Sequence, residues 1–311
     1  MGGKGMLPTT PRSPQTGIFA MGTASQLYLE LDRVRPASGL GFVRAIAGLR
    51  EPRTTMAGVN LVVGFRPELW RRLRPRGIPS GFTGFNRDLR GADGYRMPAT
   101  QHDAVLWFSG VSQDVVFDEA RASLRALDSV AKVADEVVGW PYQHDRDLSG
   151  FVDGSENPTL LEAPGVAIIP EGRAGAGGSV LLLQKWHHDA SRWEALSTTA
   201  QEHVIGRSKP DSVELDPKPA DSHVGRTDQD KFGRIFRRNV PYGTVTEHGT
   251  MFVGFCASPL PLVRMLESMA GIPDGVRDSL TRYTEPQTGA FYFVPSIEAI
   301  REFASVAESR G

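Results

Sequence analysis

The chain has 311 residues, of which 40% are hydrophobic and 23% are charged. Its 35 lysines and arginines against 36 aspartates and glutamates give a formal net charge of −1. This balance argues against a nucleic-acid-binding protein, because such proteins carry a basic excess. The single cysteine, Cys256, excludes an internal disulfide framework and any cysteine-ligated zinc or iron–sulfur site. A chain of this length is expected to form two domain-sized units.

The N-terminal segment and the distribution of apolar residues favour a cytoplasmic protein. Residues 1–16 (MGGKGMLPTTPRSPQT) are polar, lack the apolar core of a secretory signal and contain no twin arginine. The sequence has no run of about 18 apolar residues that could span a bilayer. We therefore expect a soluble protein with neither a membrane nor a nucleic acid among its partners.

In the first part of the chain, segments that alternate like strands are interspersed with amphipathic segments. Strands are predicted at residues 26–32, 59–65 and 103–109, and helices at residues 40–50, from Pro67 onward and at residues 117–138. Residues 117–138 are assigned to one long helix because apolar residues recur near helical spacing, at Ala120, Leu124, Leu127, Val130, Val133 and Val137.

The second part of the chain repeats this plan. Strands are predicted at residues 178–186, 250–257 and 289–294, and helices at residues 198–206 and 261–269. The repetition predicts an α+β fold of two units, residues 1–145 and 146–311, with antiparallel sheets covered by helices on one face. Two irregular stretches, residues 140–170 and 208–233, are expected to hold the chemistry, because long irregular segments in compact proteins are often functional.

One motif in the first irregular stretch resembles a calcium-binding loop. Residues 145–156 (DRDLSGFVDGSE) place acidic side chains and a turn glycine in the register of an EF-hand loop. Such a loop needs a helix on each side, but a proline follows Asn157 at once. The residue before a proline disfavours helical geometry, so the exiting helix cannot begin in register. The sequence also has no second copy of the motif, so we expect no calcium site here.

The same stretch supports a different interpretation. Residues 150–158 (GFVDGSENP) resemble the GxxDG…NP signature of the dye-decolourising peroxidases, a family of haem enzymes. Further segments are similar, in order and spacing, to the bacterial subgroup called class B: residues 14–32, QEHVIGRSK at 201–209, DSHVGR at 221–226, FRRNVPYG at 236–243 and TGAFYFVPS at 288–296. The resemblance extends from about residue 14 to about residue 305.

This resemblance implies a fold, a cofactor and a reaction. The fold would be two ferredoxin-like α+β units with antiparallel sheets around a haem pocket that holds one haem b per chain. The enzyme would reduce hydrogen peroxide and oxidise dyes or other aromatic one-electron donors through a ferryl intermediate. The alternative is a haem- or iron-handling protein that binds or releases haem with little peroxidase turnover. Only the reaction with peroxide separates the two.

The resemblance also implies partners beyond the substrates. Members of the family form homo-oligomers, and some are cargo of a bacterial encapsulin shell, held there by a C-terminal docking tail. The expected location is therefore the cytoplasm, or a protein nanocompartment within it. Because the sequence stops at Gly311, the end of the segment IREFASVAESRG, we expect such a tail to be absent or to have been removed.

Residue type alone does not show which of the seven histidines would bind the haem iron. The resemblance selects His223, because it lies in the DSHVGR motif and would act as the axial ligand of the haem iron. By the same resemblance, Asp278 would accept a hydrogen bond from the imidazole of His223, and Arg207 would lie near the haem propionates. A helix-surface position is an equally good interpretation for Asp278.

On the peroxide side, the resemblance implies that Asp153 carries a proton between the two oxygens of peroxide. The motif RIFRRNVPYG offers two arginines that could stabilise negative charge as the O–O bond breaks. Residues two apart on a strand share a face, so Arg237 aligns with Asn239 whereas Arg238 points the other way. We therefore predict Asp153, Arg237 and Asn239 as the catalytic residues.

Overall fold

The computed structural model describes residues 11–49, 58–143 and 146–308. Within these ranges the strands are β1 (Ser25–Arg33), β2 (Val59–Phe65), β3 (Leu89–Arg90), β4 (Arg96–Met97), β5 (Ala104–Gly110), β6 (Ala131–Gly139), β7 (Ser179–His188), β8 (Phe236–Arg237), β9 (Val240–Gly243), β10 (His248–Cys256), β11 (Thr284–Pro286) and β12 (Ala290–Val294). The α-helices are α1 (Gly39–Ala47), α2 (Pro67–Leu73), α3 (Gln113–Leu127), α4 (Ala163–Ala167), α5 (Ala190–Glu194), α6 (Thr198–Ile205), α7 (His223–Arg226), α8 (Gln229–Phe232), α9 (Pro259–Met269) and α10 (Ile297–Glu308).

Ten of these strands form one antiparallel sheet, in the order β11-β7-β12-β2-β5-β1-β6-β9-β10-β8. Because β7 also pairs with β10, the sheet closes on itself. The first half of the chain supplies the order β2-β5-β1-β6, and the second half supplies β12-β7-β10-β9. Each set of four has the strand order of a ferredoxin-like unit. The predicted α+β fold with antiparallel sheets is confirmed.

The two halves are joined edge to edge, by β12 against β2 and by β6 against β9. The predicted boundary between residues 145 and 146 stays a prediction, since Asp145 lies outside the described residues. The same holds for Arg50, the predicted end of the first helix. The predicted strands and most of the predicted helices overlap observed elements, and the bounds of β2 are the predicted ones.

The single long helix predicted at residues 117–138 is wrong in its second half. Helix α3 ends at Leu127, and the chain returns as strand β6, which pairs with β1. Val133 and Val137 misled the prediction, because a spacing of four residues suits both a helical face and one face of a strand. The pairing of β6 with β1 decides between them, and it directs Val137 into the closed sheet.

The closed sheet has an apolar interior and an apolar exterior. On β1, Tyr28 packs with the interior cluster, whereas Leu27, Leu29 and Leu31 pack with the exterior one. Helices α1, α3 and α10 cover this exterior over the first half of the sheet. The outer face of β7 and β10, in the second half, is instead covered by α9 and by irregular segments. That difference leaves space for a cavity there.

One carboxyl group inside the closed sheet makes stability depend on pH. Burial raises the pKa of Glu30 from 4.5 to about 7, partly offset by a hydrogen bond from the Tyr292 hydroxyl. A raised pKa means that the folded state favours the protonated form. The stabilisation is therefore complete below the unfolded value of 4.5 and is lost as pH rises through about 7. A shift of this size corresponds to about 3 kcal/mol.

We expect Glu30→Gln to lose less stability than the wild type between about pH 5 and about pH 8, because glutamine does not ionise. Urea unfolding at both pH values measures the difference. Glu136→Gln, on the exposed side of β6, is the matched control and should follow the wild type. Equal pH dependence of Glu30→Gln and wild type would contradict the assignment.

Candidate active site

A cavity lies on the outer face of the second half of the sheet. Its empty space is about 1800 Å³, a volume that includes open solvent, and its lining residues lie between Asp147 and Thr284. Both irregular stretches contribute to its walls. Its apolar lining includes Leu182 and Trp186 from β7, Phe252 from β10, and Leu262, Met265, Leu266 and Met269 from α9.

His223 enters this cavity at the start of helix α7. The helix is capped by Ser222, whose hydroxyl accepts a hydrogen bond from the Gly225 amide at 3.3 Å. Nδ1 of His223 lies 2.7 Å from Oδ2 of Asp278. A carboxylate can only accept, so the proton is on Nδ1 and the lone pair is on Nε2. The imidazole thus has one nitrogen held by protein and one available in the cavity.

Asp278 is fully buried, which removes the helix-surface interpretation. Its Oδ1 accepts a hydrogen bond from the Leu280 amide at 2.9 Å, and its own amide donates to the Met269 carbonyl at 3.0 Å. These bonds fix the carboxylate at the end of helix α9. The structure therefore brings His223 and Asp278 together, and their predicted roles stay proposals.

Asp153, Arg237 and Asn239 line the same cavity as His223. Nδ2 of Asn239 donates to Oδ1 of Asp153 at 3.4 Å, and Oδ1 of Asn239 accepts from the Val253 amide at 3.0 Å. Burial raises the pKa of Asp153, and the charge of Arg237 opposes that rise. The three predicted residues thus form one group, in which a carboxyl inclined to hold a proton faces a permanent positive charge.

Arg238 points away from the cavity, as the strand alternation predicted. Its guanidinium donates to the carbonyls of Ile18 and Ala20 and lies over the ring of Trp107, inside the closed sheet. Burial lowers the pKa of Arg238. The side chains of these adjacent arginines therefore point to opposite sides, Arg237 to the cavity and Arg238 to the interior of the closed sheet.

Asn157 is a positioning residue that the sequence analysis did not single out. Its side chain pairs with the backbone of Arg237, accepting from the amide at 2.8 Å and donating to the carbonyl at 2.9 Å. Asn157 lies in the loop that contains Asp153, where Gly154 takes a left-handed φ of 80°. Asn157 therefore connects the loop that contains Asp153 to strand β8, which contains Arg237. Its place in the GFVDGSENP motif was the sequence feature that could have identified it.

Arg207 lines the cavity, but its guanidinium already has protein partners. It forms ion pairs with Glu156 and Glu214 and donates to the Ser212 carbonyl at 2.6 Å. Its Nε is buried and has no hydrogen-bond partner among the described residues. The predicted contact with a propionate would therefore have to use Nε or the second N–H of Nη1, or displace a glutamate.

The acidic residues of the calcium-like loop have separate partners. Asp147 accepts from the Ser149 amide at 2.8 Å, Asp153 from Asn239, and Glu156 from Arg207. Asp145 lies outside the described residues. Within the part of the chain that the structure describes, no group of three or more acidic, histidine or cysteine residues could hold a metal ion.

We expect a calcium chelator to leave unchanged both the melting temperature and the peroxidase activity that the family resemblance implies, because these carboxylates already accept hydrogen bonds from protein donors. Thermal unfolding with a chelator and with added calcium tests this. A calcium-dependent rise in melting temperature would restore the EF-hand interpretation and would weaken the assignment of Asp153.

Comparison with known proteins identifies the family to which the chain is similar. Residues 30–141 match the family described as Dyp-type peroxidase, N-terminal, and residues 144–299 match Dyp-type peroxidase, C-terminal. The dye-decolorizing peroxidase of Mycolicibacterium paratuberculosis is 37% identical over 268 residues, which are 83% of this chain and 74% of the relative.

Two solved structures are also similar to this chain. A dye-decolorizing protein from V. cholerae is 32% identical with a TM-score of 0.83, over 93% of this chain and 99% of that one. A DypB variant from Rhodococcus jostii RHA1, solved in complex with heme, is 32% identical with a TM-score of 0.79, over 94% and 97% of the two chains. This chain therefore belongs to the Dyp-type peroxidase family.

Proposed function

We propose that this chain is a haem-dependent peroxidase that reduces hydrogen peroxide and oxidises dyes or other aromatic one-electron donors. Membership of the family supports the peroxidase activity. One observation supports the roles proposed below for individual residues. His223, which is paired with Asp278, lines the same cavity as the group of Asp153, Arg237 and Asn239.

The lining of the cavity suits a haem. Its wall along α9 is apolar, as a porphyrin requires, and Leu182 and Trp186 of β7 extend that apolar surface. His223 presents a nitrogen lone pair to the same cavity. Three donor atoms of the lining are buried without a hydrogen-bond partner among the described residues: Nε2 of Gln184, Nε of Arg207 and Nε of Arg237. Buried donors of this kind are costly unless a ligand pairs with them. Peroxide or the carboxylates of a haem would provide such partners.

His223 is proposed as the axial ligand, through Nε2. When bound, the haem supplies the iron that exchanges electrons with peroxide and with the donor. Asp278 increases the electron-donating strength of the imidazole and fixes its orientation, because it accepts the Nδ1 proton at 2.7 Å. We propose that Arg207 and Gln184 bind the propionates.

Asp153 is proposed to take the proton of peroxide and to return it to the departing oxygen. Burial raises its pKa, so this carboxyl holds a proton more readily than a free aspartate does, which suits a proton carrier. Arg237 stabilises the negative charge that develops as the O–O bond breaks, without losing its own proton. Asn239 holds the carboxyl of Asp153 in place.

Several finer assignments rest on the family resemblance alone. We propose that the cofactor is haem b, one per chain, that the protein is a cytoplasmic homo-oligomer, and that an encapsulin shell is a candidate partner. We also propose residues 1–145 and 146–311 as its two structural units. None of the helices within the described residues is both long and apolar enough to cross a membrane.

An absorption spectrum and a peroxidase assay on the purified protein test the proposal. A Soret band at one haem per chain, with rapid dye oxidation on adding peroxide, is expected. A Soret band without turnover would instead support the alternative, a protein that binds or releases haem. Absence of any Soret band after haem loading would refute both.

A further inference from the structure

The proposed reaction draws protons into the cavity, and this requirement rests on the proposed function. Reduction of peroxide follows H2O2 + 2 H+ + 2 e− → 2 H2O, with the electrons supplied by the one-electron donor. While peroxide is cleaved, Asp153 takes a proton and returns it, so no proton needs to enter. The two protons are taken up later, as the donor's electrons arrive. They must come from solvent to the carboxyl group of Asp153, which is half-buried in the cavity wall.

A chain of three hydrogen-bonded side chains lies on the wall of the same cavity. The Thr250 hydroxyl donates to Oδ2 of Asp147, and the same oxygen of Thr250 lies 3.1 Å from Nε2 of His188. All three residues line the cavity. We call Asp147, Thr250 and His188 the rim chain.

The direction of the hydrogen bonds in the rim chain follows from its donors. Burial opposes ionisation of Asp147, yet His188, the Thr250 hydroxyl and the Ser149 amide together hold its pKa below the ordinary value. Asp147 is then a carboxylate and accepts only. The single hydroxyl proton of Thr250 points to it, so Nε2 of His188 must donate to Thr250. The three groups therefore form a continuous donor-to-acceptor sequence.

The outer end of the rim chain lies close to the surface. His188 is the last residue of β7, beside the hairpin that joins β9 to β10. Residues 243–247 of that hairpin are exposed. His248 follows the turn and lines the cavity. Burial lowers the pKa of His188, the charge of His248 adds to that lowering, and the carboxylate of Asp147 opposes it. Solvent protons thus have a short approach to the imidazole of His188.

The inner end of the rim chain lies close to Asp153. Asp147 and Asp153 line one cavity, and the charge of Asp147 contributes to the raised pKa of Asp153. Two carboxyl groups in one site with opposite pKa shifts are typical of a donor and an acceptor of protons. The cavity is partly open to solvent, and water within it can bridge two such polar groups.

We propose that the rim chain carries protons from solvent to Asp153. A proton binds Nδ1 of His188, the Nε2 proton passes to Thr250, and the Thr250 proton passes to Asp147. From Asp147 it crosses to Asp153 through water in the cavity. The net charge of the site changes only by the proton that enters. Because the three groups act on the reaction through Asp153, they are positioning residues rather than catalytic residues.

Thr250→Val tests the central link, because valine keeps the shape of threonine and removes the hydroxyl. Thr250→Ser is the conservative partner, because it keeps the hydroxyl. The measurement uses the haem-loaded protein in weak buffer, with a pH indicator that records proton uptake during turnover. We expect Thr250→Val to slow proton uptake and steady-state turnover by about 10²-fold, the low end for a positioned acid–base group. The rate of peroxide consumption in the first turnover should stay within about 2-fold of the wild type, because cleavage of peroxide needs no proton from solvent.

Thr250→Ser should restore proton uptake to near the wild-type rate. The solvent deuterium isotope effect on turnover should rise in Thr250→Val and return in Thr250→Ser. If both variants slow equally, the threonine serves packing and the proposal is wrong. If neither variant slows, protons enter by another route and the proposal is also wrong.

His188→Gln provides a second test that does not depend on Thr250. His187→Gln is its matched control, because His187 is adjacent on β7 and approaches Glu247, at 3.7 Å, instead of lining the cavity. We expect slow proton uptake in His188→Gln alone. Equal rates in the two histidine variants would overturn the proposal. Failure of the proposed function would look different, because the wild type itself would then show no peroxide turnover.

Discussion

Arg237→Leu is expected to slow the reaction with hydrogen peroxide by about 10³-fold, the upper end for removal of one charge-stabilising donor. The guanidinium has a permanent charge, so the loss should be similar at every pH. Stopped-flow absorption at the Soret band of the haem-loaded protein measures the rate. Arg234→Leu is the matched control, because Arg234 lies in the same motif, is exposed and pairs with Glu162 outside the cavity.

Asp153→Asn separates the proton-carrying role of Asp153 from the charge-stabilising role of Arg237. It removes only the proton carrier, for which a loss of about 10²- to 10⁴-fold is usual. The loss should be largest at acidic pH, where little hydroperoxide is present and the wild type depends on the carboxyl group of Asp153 to take the proton of peroxide. It should shrink as pH rises, because hydroperoxide then forms without help. An Asp153 variant as slow as Arg237→Leu at every pH would contradict this division of work.

His223→Ala is expected to lose stable haem binding, because it removes the one nitrogen ligand proposed for the iron. The Soret band and the haem content per chain after purification measure this loss. His203→Ala is the matched control, because His203 is exposed on α6 and does not line the cavity. Added imidazole should restore part of the Soret band, since it can occupy the space that the side chain leaves.

The fold should largely survive His223→Ala. Its helix α7 is short, and the apolar clusters do not include the imidazole. Asp278 would keep the Leu280 amide but lose the imidazole, a cost of about 1–3 kcal/mol for a buried polar group. A normal haem spectrum in this variant would remove His223 as the ligand.

Local periodicity predicted most elements, because a strand or helix with one buried face leaves a clear pattern in the sequence. The bounds of β2 match the prediction, and β7 and β10 overlap theirs closely. The pattern failed where two periods coincide, at Val133 and Val137, since strand pairing with β1 rather than local preference decides that segment.

The sequence by itself determined the family resemblance, the α+β class and the choice between Arg237 and Arg238. Each of these follows from a motif or from strand alternation, which are properties of neighbouring residues. Only the tertiary structure decided that the sheet closes on itself, that Asp278 is buried against His223, and that Arg207 is paired with two glutamates. The rim chain likewise has no sequence signal, because its members come from a loop and two different strands. Contacts between residues far apart in the chain depend on how the loops pack against the sheet, and no local pattern records that packing.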